Sequence, residues 1–239
     1  LKKLDTEEIN YIKSEISKVD MPIEVCQTYA QKLLSQETRK RFAAFYTVKQ
    51  GAQFMALLAR EYTERYKLSK VILADPFLGT ARTLTAAVKE LGIEKIKKVW
   101  GIEPLPLPAL IAYAALLQAT GGRDDLITII VGDAFKEIPR ELTLFGDSKI
   151  FKADIILTNP PFTRWKYLKK EYREYLHKVM DAIGYKKYII RREISLQALS
   201  MFLSDYVLND GGLIASVLPA STFYTLYGKG YKALLKEKY

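Results

Sequence analysis

The 239-residue sequence has one cysteine and one histidine. No internal disulfide and no cysteine-based zinc site can be built from Cys26, which fits a reducing compartment. Long apolar runs are missing too: nothing approaches the roughly 20 residues of a membrane span, so no helical span and no membrane partner are expected. No basic-then-apolar leader opens the chain, whose first residues are LKKLDTEEIN. It begins without Met and stops in LLKEKY, which reads as part of something longer. Asn occurs three times and Met four. This scarcity, beside abundant Lys, Glu, Ile and Tyr, leans towards a thermophile; with the lone cysteine, a prokaryotic cytoplasm is the expected setting.

What is there suffices for one sizeable core, or one core and a small satellite. Apolar residues make up 49% and the mean hydropathy is −0.05, as in a water-exposed globular chain. The formal charge of +10 favours a polyanionic partner, although ordinary soluble proteins also reach it.

Residues 5–18 and 22–38 have amphipathic helical periodicity, with Asp5 or Thr6 as N-cap. Residues 50–66 predict a third helix, with Phe54, Leu57, Leu58 and Tyr62 in an i, i+3, i+4, i+8 stripe. From residue 70 short apolar runs alternate with helical ones: KVILAD (70–75), KKVWGIE (97–103), LITIIVGD (126–133), KADIILTN (152–159) and GGLIASVLP (211–219). Runs this uniformly apolar are strands buried on both faces, hence a mostly parallel, doubly wound α/β sheet. A helical extension (1–40) precedes that domain (41–239).

Such sheets bind ligands beyond the carboxyl ends of their strands. The first four runs end in Asp75, Glu103, Asp133 and Asn159, spaced 28, 30 and 26 residues apart. One acid closing a strand is an ordinary turn or cap residue; three acids and an Asn in phase point to a shared site. The turn DPFLGTART brings Pro76 and Gly79 to the first strand's exit, where Gly79 allows close backbone approach. It is neither G-x-G-x-x-G nor G-x-x-x-x-G-K-[ST], which disfavours a nicotinamide, flavin or nucleoside triphosphate. An acid there suits a cation. Glu103 is placed to accept from a ribose diol, and Asp133 from an adenine amino group. Together these describe a pocket for a nucleoside carrying positive charge, S-adenosylmethionine. No metal site is expected.

With these motifs in order, residues 41–239 resemble the γ class of DNA amino-methyltransferases, the group of type I methylation subunits and type IIG restriction-modification enzymes. FYTVKQGAQFMALLA (45–59) resembles the motif ahead of the sheet, in which Tyr46 and Thr47 would hold the cofactor's methionine end. Thr47 could equally be the N-cap of its helix. DPFLGTA resembles the D-P-x-x-G-[ST]-G cofactor loop and GIEP the ribose-binding acid. VGDAF, with Asp133 and Phe135, resembles the adenine-binding turn, and NPPF (159–162) the catalytic motif. GGLIASVLPASTF resembles the later strand and its exit. N-P-P-[FY] also occurs in RNA guanine and protein glutamine methyltransferases; the motif around Thr47, ahead of the sheet, favours DNA. Two departures stand out: Val48 for the usual Pro, and Ala81 for the loop's last Gly, which calls for a negative φ or local adjustment.

The resemblance implies transfer of a methyl group from S-adenosylmethionine to the N6 amine of an adenine flipped out of double-stranded DNA. Cytosine N4, RNA, or an inert DNA-binding subunit are the alternatives. Asn159 and the Pro160 carbonyl would accept from the amine. Pro160 and Pro161 lock φ near −65°, and Phe162 would stack on the base. A target-recognition domain or specificity subunit would lie outside this chain. Segment 163–192 has ten Lys/Arg against three Asp/Glu, interleaved with Trp165 and five tyrosines. Arg164, Trp165, Lys166, Lys169 and Lys170 could contact nucleic acid there. The plainer alternative is a helix with its aromatic face (Tyr172, Tyr175, Leu176) on the core. His177 reads as a helix-surface residue.

Overall fold

The structure, a computed structural model, describes residues 14, 22–33, 47–143, 151–163, 165–190, 194–224 and 228–239. The helix expected over 5–18 lies outside the described residues except for Ser14, as do Tyr46 and Arg164.

Five strands form one sheet: β1 (Val71–Asp75), β2 (Ile96–Glu103), β3 (Ile127–Val131), β4 (Ala153–Thr158) and β5 (Leu208–Ser216). Their order is β3-β2-β1-β4-β5, and every pair is parallel. Each residue of β1 is buried, because helices cover both faces. Successive side chains of a strand point to opposite faces, and the two cores divide accordingly. Val71 and Leu73 pack with Leu84, Val88 and Leu116, whereas Ile72 and Ala74 pack with Trp100, Ile138 and Phe202.

The first face is covered by α2 (Lys49–Arg65), α3 (Arg82–Leu91) and α4 (Pro106–Ala119). A preceding helix, α1 (Ile23–Leu33), is docked on α4; residues 34–38, expected to continue it, are outside the described residues. The second face is covered by α5 (Ala134–Thr143), α6 (Lys170–Ala182), α7 (Leu196–Tyr206) and α9 (Lys229–Lys238), with a single turn α8 (Ser221–Tyr224) after β5. The chain runs from β1 outwards through β2 and β3, then returns to the other side of β1 with β4. The β1/β4 junction is therefore the switch point where a crevice opens at the carboxyl ends of the strands.

Two expectations are corrected. Of the stripe Phe54, Leu57, Leu58 and Tyr62, only Tyr62 packs on the core: Phe54 is 62% exposed, Leu57 and Leu58 are exposed too, and Ala52, Met55, Ala56, Ala59 and Thr63 are buried instead. Small residues let the α2 backbone come close to α3, a gain that large side chains at the interface would prevent. β5 begins at Leu208, three residues before the expected GG. It ends at Ser216 instead of running to 219, and its register on β4 jumps from Ala153↔Leu208 to Ile155↔Leu213, so the Asp-Gly-Gly segment is a bulge within the strand.

Candidate functional site

β1 ends on Asp75 and β2 on Glu103. β3 ends on Val131, two residues short of Asp133, and Asn159 follows the last residue of β4. Asp75 pairs with Gly101, and Glu103 with Val131, so each acid stands two residues beyond its neighbour's partner. The result is a staircase of acids across β1, β2 and β3 on one edge of the sheet.

Each acid closes its own turn in the same way. Asp75 Oδ1 accepts from the Phe77 N–H, Glu103 Oε1 from the Leu105 N–H and Asp133 Oδ1 from the Phe135 N–H, each at 3.0 Å. The capping role of such acids is thus real, and it leaves the second oxygen of each for other partners. Asp75 Oδ2 takes the Thr83 hydroxyl at 3.0 Å, Glu103 Oε2 the Gly79 N–H at 3.0 Å, and Asp133 Oδ2 the Tyr172 hydroxyl at 2.9 Å. The Glu103–Gly79 bond ties the end of β2 to the loop after β1. Gly101 makes room for this loop: a Cβ there would lie 2.6 Å from Leu78.

Asp75 and Glu103 are buried carboxyls. Burial pushes Asp75 up to about 7, against the pull of the neighbouring Thr158 and Thr83 hydroxyls and the Phe77 N–H. Burial likewise raises Glu103 to about 7; the Leu105 and Gly79 N–H groups oppose this, while the charge of Asp75 adds to it. Among the described residues no cation contributes to either. A cationic ligand carrying hydroxyls would supply what both lack.

The loop between β1 and α3 holds two left-handed residues, Gly79 at φ 56° and Ala81 at φ 60°. Of the two expectations for Ala81, a negative φ or a local adjustment, the negative φ is not adopted. It keeps the geometry a glycine would have, at a cost of about 1–2 kcal/mol from crowding of its Cβ. Thr47 is buried just ahead of α2, and Val48 is the residue at the N-cap. The reading of Thr47 as the cap is thereby excluded.

Asn159 is half-buried with its Oδ1 shielded from solvent; Pro160 is buried, and Pro161 and Phe162 are half-buried. Three aromatic expectations change. Trp165 is 8% exposed and packs edge-on against His177 at 5.3 Å. An indole buried in the core cannot stack on a nucleic acid base, and His177 is its half-buried neighbour rather than a surface residue. Phe135 is buried against Phe77 at 5.9 Å, so its ring has no open face for an adenine. Lys166, Lys169 and Lys170 are exposed on the same segment.

Sequence reasoning missed the two tyrosines that bond to the turn after β3. Tyr172 reaches Asp133, and Tyr175 donates to the Phe135 carbonyl at 3.2 Å. Their spacing had marked the buried face of α6; only the fold shows that this face meets the turn after β3. Gln27 was missed as well. It is a polar residue on the packed side of α1, and its Nε2 donates to the Thr80 carbonyl at 2.7 Å. A polar side chain inside an apolar stripe was the available signal.

No protein-family model matches the chain, and neither does any curated protein. Solved structures do. A Listeria monocytogenes protein classed with the class I S-adenosylmethionine-dependent methyltransferases superposes with a TM-score of 0.59 at 16% identity, over 98% of this chain and 67% of the other. The chain has a methyltransferase fold. The methyltransferase subunit of a type I restriction-modification system from Streptococcus thermophilus gives a TM-score of 0.62 at 19% identity, over 81% of this chain and 39% of that one. DrdV, in its complex with DNA, gives 0.67 at 15%, over 98% and 27%. The chain thus spans well under half the length of the latter two, and at such identities the likeness is one of fold.

Proposed function

We propose that this chain is the catalytic part of a DNA amino-methyltransferase that methylates the N6 of an adenine swung out of the duplex. The observation that carries the reading is the placement of Asn-Pro-Pro-Phe at the exit of β4, beside the β1 turn and on the edge that bears Asp75, Glu103 and Asp133. Methyltransferases of restriction-modification systems are among the structures that share the fold.

The donor set fits S-adenosylmethionine. Asp75 would face its cationic methionine end together with Thr47, Glu103 its ribose hydroxyls, and Asp133 its adenine amine. Pro76 and Gly79 shape the loop that approaches it. Bound there, the cofactor supplies an electrophilic methyl group on a sulfonium. The left-handed φ of Ala81 supports a working loop over a decayed one, since the strained form is kept although the glycine is gone.

The protein's own share is to make a poor nucleophile attack. The lone pair of the exocyclic amine is delocalised into the purine ring. The Asn159 side-chain oxygen and the Pro160 carbonyl, accepting its two hydrogens, would favour a more tetrahedral nitrogen with that lone pair free. The Pro-Pro pair fixes φ and so the aim of the carbonyl. Phe162 would stack on the base, worth about 1–3 kcal/mol, which offsets the few kcal/mol of extrusion. No general base is required, because the amine can release its proton to solvent after the transfer. Positioning and electrostatics provide the acceleration. Lys166, Lys169 and Lys170 would meet the phosphates.

Target recognition would then come from a domain or subunit beyond these residues. The test is methyl transfer from labelled S-adenosylmethionine to duplex DNA, RNA and protein, with nucleoside analysis of the product. N6-methyladenosine in RNA alone, or label on protein alone, would replace the DNA reading.

A further inference from the structure

α1 does more than extend the domain. Its Gln27 is 2% exposed and bonds to the carbonyl of Thr80, fifty-three residues away, inside the loop between β1 and α3. Two further contacts seat the helix on the start and end of α3: Arg82 donates to the Thr28 hydroxyl at 2.7 Å, and Lys89 pairs with Glu24 at 2.7 Å.

The Thr80 carbonyl belongs to the peptide unit whose other end is the N–H of Ala81. That N–H donates to the Leu78 carbonyl at 2.9 Å. The unit is therefore held at both ends, by Gln27 on the oxygen and by Leu78 on the nitrogen. Its orientation matters because it sets φ of Ala81. Turning the peptide over would carry φ from +60° to the negative side that alanine prefers. The same rotation would break both hydrogen bonds and redirect the loop that Gly79 joins to Glu103.

We infer that Gln27 is a positioning residue for the cofactor loop: its side-chain amide holds the Thr80–Ala81 peptide in the strained orientation that the loop needs to receive the nucleoside cofactor. An alanine at position 81 makes this hold necessary. With glycine there, the backbone would accept the orientation without preference, and the amide would matter much less. The cofactor half of this inference rests on the proposed methyltransferase reading; the latch itself does not.

The experiment is a double-mutant cycle on the full chain, combining Gln27→Ala with Ala81→Gly. Gln27→Leu, which keeps the buried volume, serves as the second variant should the alanine form fail to fold. Affinity for S-adenosylmethionine is read by calorimetry, and protection of the Ala81 amide by hydrogen exchange without ligand. In the native background, loss of the Gln27 amide should weaken cofactor binding about three- to tenfold, the worth of one hydrogen bond. Ala81 amide protection should fall with it. In the Ala81→Gly background the same change should cost less than about twofold. An equal loss in both backgrounds would make Gln27 an ordinary packing residue and overturn the inference, as would unchanged amide protection. If the native chain binds no S-adenosylmethionine while the exchange cycle shows the coupling, the latch stands and the cofactor reading fails.

Discussion

At the residue scale, Ala81 and Asn159 carry the clearest consequences. Ala81 sits at φ 60°, where glycine is at ease and alanine is not. Ala81→Gly is expected to raise unfolding free energy by about 1 kcal/mol, the relief of Cβ crowding less the extra freedom glycine gives the unfolded chain. Urea denaturation measures it, and a loss of stability would show that the left-handed form carries no strain. Asn159→Ala is expected to abolish methyl transfer while cofactor affinity stays within a few-fold. Single-turnover transfer beside calorimetric binding separates the two, and persistent transfer would remove Asn159 as acceptor.

At the scale of elements, α6 links the Asn-Pro-Pro-Phe turn to the acid staircase. The segment after Phe162 reads in sequence as a basic, aromatic strip, and two of its roles are physically distinct. Lys166, Lys169 and Lys170 face solvent, whereas Trp165 is buried and Tyr172 reaches Asp133. Trp165→Ala should therefore act on the fold, costing about 3–5 kcal/mol as a large-to-small change in a core. The midpoint of chemical denaturation checks this; a fully stable variant with weakened DNA binding would return Trp165 to the surface role. Much of the fold was legible at this scale. Uniformly apolar runs gave the parallel strands, and their shared βα period placed Asp75, Glu103 and Asn159 within a residue of the strand ends. What was not legible depends on distant packing. Nothing local in Phe54, Leu57 and Leu58 says that the smaller residues beside them meet α3. Nor does a helical period reveal that Tyr172 will find an acid 39 residues earlier, or Gln27 a carbonyl in another turn.

At the scale of the whole molecule, two buried carboxyls couple the site to stability. The folded chain holds Asp75 and Glu103 protonated up to about pH 7, while the unfolded chain releases those protons near pH 4. Across that window the folded state binds more protons, so stability falls as pH rises and is lowest above 7. Lowered carboxyls such as Glu24, beside Lys89, act in the opposite sense but are exposed and screened. Denaturation midpoints at pH 5 and pH 8 should thus show a drop on going to pH 8, and Asp75→Asn with Glu103→Gln should shrink it. An identical drop in that variant would assign the pH response elsewhere. A bound cation would favour the ionised forms, so cofactor uptake near pH 6 is expected to release protons, visible as a buffer-dependent binding enthalpy.

The burial of Trp100 and Trp165 also gives the molecule an optical signature. These are its only tryptophans, and both lie in the same core, out of reach of water. Native emission should be blue-shifted and resistant to iodide, and should move to the red in one step as that core opens. Trp165 stands three residues past Phe162, at the end where a base would enter. Any rearrangement of the Asn-Pro-Pro-Phe turn would thus register as a change in light from inside the protein, with no label attached.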